Sequence, residues 1–140
     1  MLPQIGIFIV CLISILIYLT GGTDLAKVLI DAIEPDSVDA SGARLKPETI
    51  LIITDGAPDN PTAVEEIIVS ATKNARIMRH ADDLSISILQ VGNDEAAVLW
   101  LEQLVPRLQE RGAQFDIVDV MHFEDAAHLT DAIRKVFPAN

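Results

Sequence analysis

Thr49-Ile50-Leu51-Ile52-Ile53-Thr54-Asp55-Gly56 is the stretch on which the fold turns. Four consecutive aliphatic residues with no polar interruption predict a strand buried on both faces, as strands of parallel sheets are. The run stops at Thr54-Asp55-Gly56, and the residues that follow, Ala57-Pro58-Asp59-Asn60, have turn chemistry.

Working outward, Pro35 to Pro47 is small and polar and reads as a loop. Before it, Leu25, Val28, Leu29, Ala32 and Ile33 recur at helical spacing, with Thr23 or Asp24 as the cap and Pro35 as the stop. After the quoted strand come a predicted helix from Thr62 to Arg79, a strand from Leu84 to Val91 and a turn at Gly92-Asn93. A helix from Glu95 to Glu110 follows, with Leu101, Leu104 and Leu108 inward and Pro106 as a kink. A strand from Phe115 to Val120 and a helix from Asp125 to Phe137 complete the pattern. Strands alternating with helices predict an α/β fold: a three-layer, doubly wound, mostly parallel sheet.

The chain has 140 residues, enough for one domain, assigned to residues 21–140 behind an apolar segment at 1–20. Within that segment Ile5 to Leu19 carries no charge, and the first basic residue is Lys27. A helix over residues 2–19 would span roughly 27 Å, slightly short of a hydrocarbon core of about 30 Å, and Tyr18 stands at its boundary. Buried strand is the alternative, because isoleucine and valine are frequent in the run. If it spans, Lys27, Arg44 and Lys46 follow it and place the domain on the cytoplasmic side; if not, the chain is expected in the cytoplasm.

With 21 acidic and 10 basic side chains the formal charge is -11, which argues against phosphate-neutralising surfaces and hence against nucleic acid as a partner. The lone Cys11 has no intrachain disulfide partner. His80, His122 and His128 lack metal-ligand spacing, and Trp100 lies at helical spacing with its leucine neighbours, as a core residue does. The acidic loop residues Asp36, Asp39, Asp59 and Asp125 match no calcium-loop pattern.

Ligands of such sheets bind at the carboxyl ends of the strands, which directs attention to Asp55, to Gly92-Asn93 and to Met121-His122. Gly21-Gly22-Thr23-Asp24-Leu25 opens a helix, and Ile52-Ile53-Thr54-Asp55-Gly56 ends a strand; a hydroxyl and a carboxylate there are hard oxygen donors suited to magnesium or manganese. In these elements the chain resembles the von Willebrand factor type A family. That family's metal-ion-dependent adhesion site joins D-x-S-x-S, a threonine from a later loop and the aspartate of T-D-G. Thr23 matches the threonine and Asp55 the aspartate, and Gln90 to Leu104 is similar to the family's strand, glycine turn and helix. The resemblance covers the family's C-terminal portion, roughly Thr20 to Phe137.

The first metal-ligand motif is missing from its place: upstream of Thr23 there is one serine, Ser14, with no aspartate beside it. Asp83-Leu84-Ser85-Ile86-Ser87 spells D-x-S-x-S but precedes a strand, and Asp39-Ala40-Ser41 lies in a polar loop; both read as cap or turn residues. Thr23 reads equally as a helix cap and Asp55 as a turn former.

The resemblance implies a protein-binding module rather than an enzyme. Its strand-end face, with or without Mg2+ or Mn2+, would receive the acidic side chain of a protein partner, with membrane association through residues 2–19 as an addition. Two alternatives stay open: a metal-assisted phosphohydrolase using Asp55, and a truncated, non-functional fragment of the domain.

Overall fold

The computed structural model describes residues 24–124, the backbone of Ile13–Leu19, and residues 127, 128, 130, 131 and 134. Among the described residues four strands, β1 (Ile13–Leu19), β2 (Glu48–Thr54), β3 (Leu84–Val91) and β4 (Val118–Phe123), form one parallel sheet in the order β1-β2-β3-β4. Between them run α1 (Leu25–Ile33), α2 (Pro61–Lys73) and α3 (Glu95–Glu110). The predicted α/β alternation and parallel sheet are what the chain adopts.

Alternation along β2 and β3 sorts the two faces. Ile50, Ile52, Leu84, Ile86 and Ile88 are buried in the same cluster as Leu25 and Leu29 of α1, Val64 and Ile68 of α2, and Trp100, Leu101 and Leu104 of α3. Sequential parallel strands joined by right-handed crossovers place their helices on one face, and the three helices pack in a row there. The opposite face holds a smaller cluster of Ile53 and Leu89 with Leu51, Val91 and Phe123. A doubly wound, three-layer sheet carries helices on both faces; among the described residues α1, α2 and α3 pack on one face.

Each described helix begins at a side-chain cap: Asp24 accepts from the amide of Lys27, Asn60 from Ala63 and Asp94 from Ala97. Asp24 is therefore one of the two caps foreseen for α1, while Thr23 lies outside the described residues. Helix α2 ends at Lys73 rather than at Arg79, because Asn74 leaves the helix, accepts the amide of Arg76 on its side chain and closes a turn with Ile77 and Met78. Strand β4 is displaced three residues from the predicted Phe115–Val120. Val118 and Val120 lie in register beside Ile86 and Ile88, whereas Phe115 packs against the core ahead of the strand.

The membrane helix over residues 2–19 requires correction. Ile13–Leu19 is a strand whose Leu16 to Leu19 pair with Leu51 to Thr54, so the β2 ladder occupies backbone groups that a helix would satisfy internally. No helix among the described residues is long and apolar enough to cross a membrane. The predicted last helix is described only at residues 127, 128, 130, 131 and 134, all helical.

The long loop between α1 and β2 is held by a buried ion pair. Arg44 Nη1 stands 2.7 Å from Glu48 Oε2, facing it without hydrogen-bond alignment, and both side chains are almost fully buried. Arg44 also donates through Nη2 to the Ile33 carbonyl at 2.6 Å and through Nε to that of Ile77 at 2.8 Å, while Glu48 accepts the Asp36 amide at 3.0 Å. One guanidinium thus closes the end of α1, the turn after α2 and the start of β2. Between α2 and α3, buried Glu65 takes Arg111 at 3.1 Å and Arg107 at 3.5 Å.

Asp39 does in this loop what its sequence context suggests. Its carboxylate accepts from the Ser41 hydroxyl at 2.6 Å and from the amides of Ser41 and Ala43. Those bonds, the Ser41 hydroxyl foremost, lower its pKa from 3.8 to about 2. A carboxylate with a depressed folded-state pKa contributes stability above its unfolded value and loses it as the pH falls through about 2. Asp39→Asn is therefore expected to lower stability at neutral pH and to flatten its decline from about pH 4 to about pH 2, read from urea midpoints across that range.

Candidate functional site

All four strands run the same way, so their carboxyl ends share one edge. Leu19 pairs with Thr54 and Thr54 with Gln90, while Gln90 pairs with His122. The connections after β1, β2 and β3 therefore leave side by side. Asp55, foreseen as a site residue, is the first residue of the loop that follows β2, and it is exposed. The other foreseen residue, Thr23, cannot be placed beside it, since it lies outside the described residues.

The turn at Asp55 is not held by Asp55. Thr54, nearly buried, donates its hydroxyl to the Gly56 carbonyl at 2.9 Å and accepts the Gly56 amide at 3.3 Å. The Asp55 carboxylate makes no hydrogen bond or ion pair among the described residues. Several turn aspartates are consumed locally: Asp24 and Asp94 cap helices, Asp39 closes its own turn, and Asp83 accepts the amides of Arg79 and His80, whereas the carboxylates of Asp36, Asp59 and Asp82, like that of Asp55, bond nothing among the described residues. The Asp83 bonds account for its D-x-S-x-S lookalike as a turn at the amino end of β3.

A second wall comes from the connection after β3. Gly92 has φ +98°, a left-handed conformation that favours glycine, and its amide donates to the Phe123 carbonyl at 2.8 Å. Its own carbonyl meets His122 Nε2 at 2.6 Å, so His122 closes the turn. That geometry brings Asp94 against the β2 loop: a Cβ built on Gly56 would lie 3.6 Å from Asp94 Oδ2. The two loops thus lie against each other, with room at Gly56 for ordinary van der Waals contact. Below them Gln90 is completely buried; its Nε2 donates to the Val91 carbonyl at 3.3 Å and its Oε1 has no partner among the described residues.

The edge has a charge pattern. Asp24, Asp55, Asp59, Asp94 and Glu95 lie in its loops and first helical turns, and Glu124 follows β4. Between Asp24 and Glu124 the one basic residue on this side is Lys27; Arg44, Lys46, Lys73, Arg76, Arg79, Arg107 and Arg111 lie toward the amino ends of the strands and the last turns of the helices. These six carboxylates do not assemble into an ion site. Among the described residues no three histidine, cysteine, aspartate or glutamate side chains converge on a metal position. Asp55 and Asp94 alone do not fit magnesium or manganese, which needs several oxygen ligands in near-octahedral order. A groove of about 400 Å³ between α1 and α2, lined by Ile30, Ile67 and Ile77, belongs to the helical surface rather than to this edge.

Sequence reading singled out Asp55 and overlooked Asp94 and Gln90. The cap pattern of Asn93-Asp94-Glu95 was open to view, as was a glutamine in the core-facing register of an apolar strand. Their meeting with the β2 loop depends on strand adjacency, which no local pattern carries. Comparison with family models, with curated proteins and with solved structures finds no match to the chain.

Proposed function

We propose that this chain is a protein-binding module that takes its partner at the carboxyl edge of the sheet through Asp55. What supports the reading is the exposed Asp55 carboxylate at the strand-end edge, which bonds nothing among the described residues: its turn is held by Thr54, while the aspartates at 24, 39, 83 and 94 are spent on their own backbone. A carboxylate that is exposed at the ligand-binding edge of a parallel sheet and has no bond among the described residues is available for a partner. The resemblance to the von Willebrand factor type A domain points to the same edge and to the same residue. The described donors do not complete a Mg2+ or Mn2+ site, so recognition in this proposal runs through the carboxylate itself.

The partner's chemistry follows from charge. Without an ion to bridge two carboxylates, the acidic partner group that the resemblance implies gives way to a basic one: an edge with six carboxylates and one lysine among the described residues attracts a segment bearing lysine or arginine, whose donors form charge-assisted bonds with Asp55 and Asp94. Cytoplasmic placement belongs to the same proposal, in keeping with a single cysteine and no intrachain disulfide.

The test is retention of a partner from lysate by the full chain, compared with Asp55→Ala. Loss of a bond to a charged group is expected to weaken binding by about tenfold or more, roughly 1.5–3 kcal/mol, with the melting temperature unchanged. Retention is expected to fall with added salt and to survive a chelator. Equal retention by Asp55→Ala overturns the proposal. Retention that is lost in chelator and restored by Mg2+ or Mn2+ overturns the direct carboxylate contact and assigns the contact to an ion.

A further inference from the structure

We propose that β1 is an interface strand, pairing edge to edge and antiparallel with β1 of a second copy of the chain, so that two four-stranded sheets join across a twofold axis. In the order β1-β2-β3-β4, strand β1 has one described neighbour, β2. Successive residues of a strand direct their backbone N–H and C=O groups to opposite sides, so alternate residues of β1 bond β2 and the others point outward. An outward row of donors and acceptors is a template for another strand.

Natural edges are blunted by charge, proline, bulges or shortness. Strand β1 is seven residues long, Ile-Ser-Ile-Leu-Ile-Tyr-Leu, with no charge, no proline and no glycine; its one irregularity lies at its start, between Ile13 and Ile15. The opposite edge differs. Strand β4 carries an exposed Asp119, its His122 is engaged by the Gly92 carbonyl, and Glu124 follows directly. Among the described residues, the β4 edge carries these protections and the β1 edge carries none.

Charge also selects the occupant. Copies of a chain with a formal charge of -11 repel one another, and they meet at least cost where no charge stands. From Met1 to Thr23 there is no aspartate, glutamate, lysine or arginine, so β1 lies inside the longest neutral stretch of the chain. Antiparallel pairing of a strand with itself is isologous: each copy offers the same surface, every outward donor finds an acceptor, and association closes at two. The charged β4 edges then terminate the combined sheet on both sides.

Sedimentation velocity of the full chain is expected to give a mass twice 15.2 kDa at micromolar concentration. Of Leu16→Pro and Ile17→Pro, one removes an amide directed at β2 and the other an amide directed outward; the second is expected to yield a folded monomer. A monomeric wild type, association that continues beyond two, or a dimer that persists in both folded proline variants overturns the proposal. Cysteine scanning from Ser14 to Tyr18 in a Cys11→Ser background keeps the test independent of the prolines. Oxidative cross-linking is expected to peak at residues nearest the twofold axis, where opposed Cα atoms lie about 4.5–5.5 Å apart. A flat cross-linking profile overturns it as well.

Discussion

Arg44→Ala is expected to lower the unfolding free energy by about 3–5 kcal/mol, measured from urea unfolding with far-UV circular dichroism. The size follows from what stays behind. The substitution leaves the Glu48 carboxylate buried without its cation, and it strips the Ile33 and Ile77 carbonyls of their guanidinium donors. A buried charge without its counterion costs far more than the pair contributes, because the desolvation already incurred is no longer offset. The double variant Arg44→Met with Glu48→Leu separates these effects, since it removes both charges and restores apolar volume. Its loss should be clearly smaller than that of Arg44→Ala alone; an equal or larger loss would mean that the guanidinium's bonds to the two carbonyls, rather than the stranded carboxylate, carry the effect.

Ile86→Ala is the other large effect, about 2–5 kcal/mol by the same measurement. Ile86 is fully buried in β3, between Ile50 of β2 and Val118 of β4, beneath the helices. Removing its outer carbons forfeits their transfer free energy and leaves a void that flanking strands, fixed by their ladders, fill only in part. Leu99→Ala serves as the reference, since Leu99 is 55% exposed on α3 and its loss should stay within about 0.5 kcal/mol.

Elements whose hydrophobic period and punctuation agree were readable from the sequence. Strand β3 and helix α3 begin and end at the predicted Leu84–Val91 and Glu95–Glu110, because an apolar run alternating with Ser85 and Ser87 meets Gly92-Asn93 and because Asp94 starts the next helix as its cap. Strand β4 was misplaced because Phe115, Ile117 and Val118 are all apolar, and only the register against β3 decides which of them begins the ladder. Strand β1 was open between helix and strand for a related reason. An aliphatic run without polar alternation has no period to read, and pairing with β2 determines its form. At the site, Asp55 was legible from its place at the end of an apolar run. Nothing in the sequence announces that Thr54 holds the turn while Asp55 bonds nothing among the described residues, or that Asp94 of the loop after β3 lies against Gly56.

Among the described residues the carboxyl edge sets six carboxylates against Lys27, whereas the amino side mixes its cations with acids such as Asp36, Asp39, Asp82 and Asp83, so net negative charge gathers at the carboxyl edge. In the field of a cationic surface such a body turns before it touches, so diffusion delivers the Asp55 edge first and shortens the search for a productive orientation. The rate of encounter should then depend steeply on ionic strength, while the lifetime of the complex, set by contacts already made, should depend on it much less.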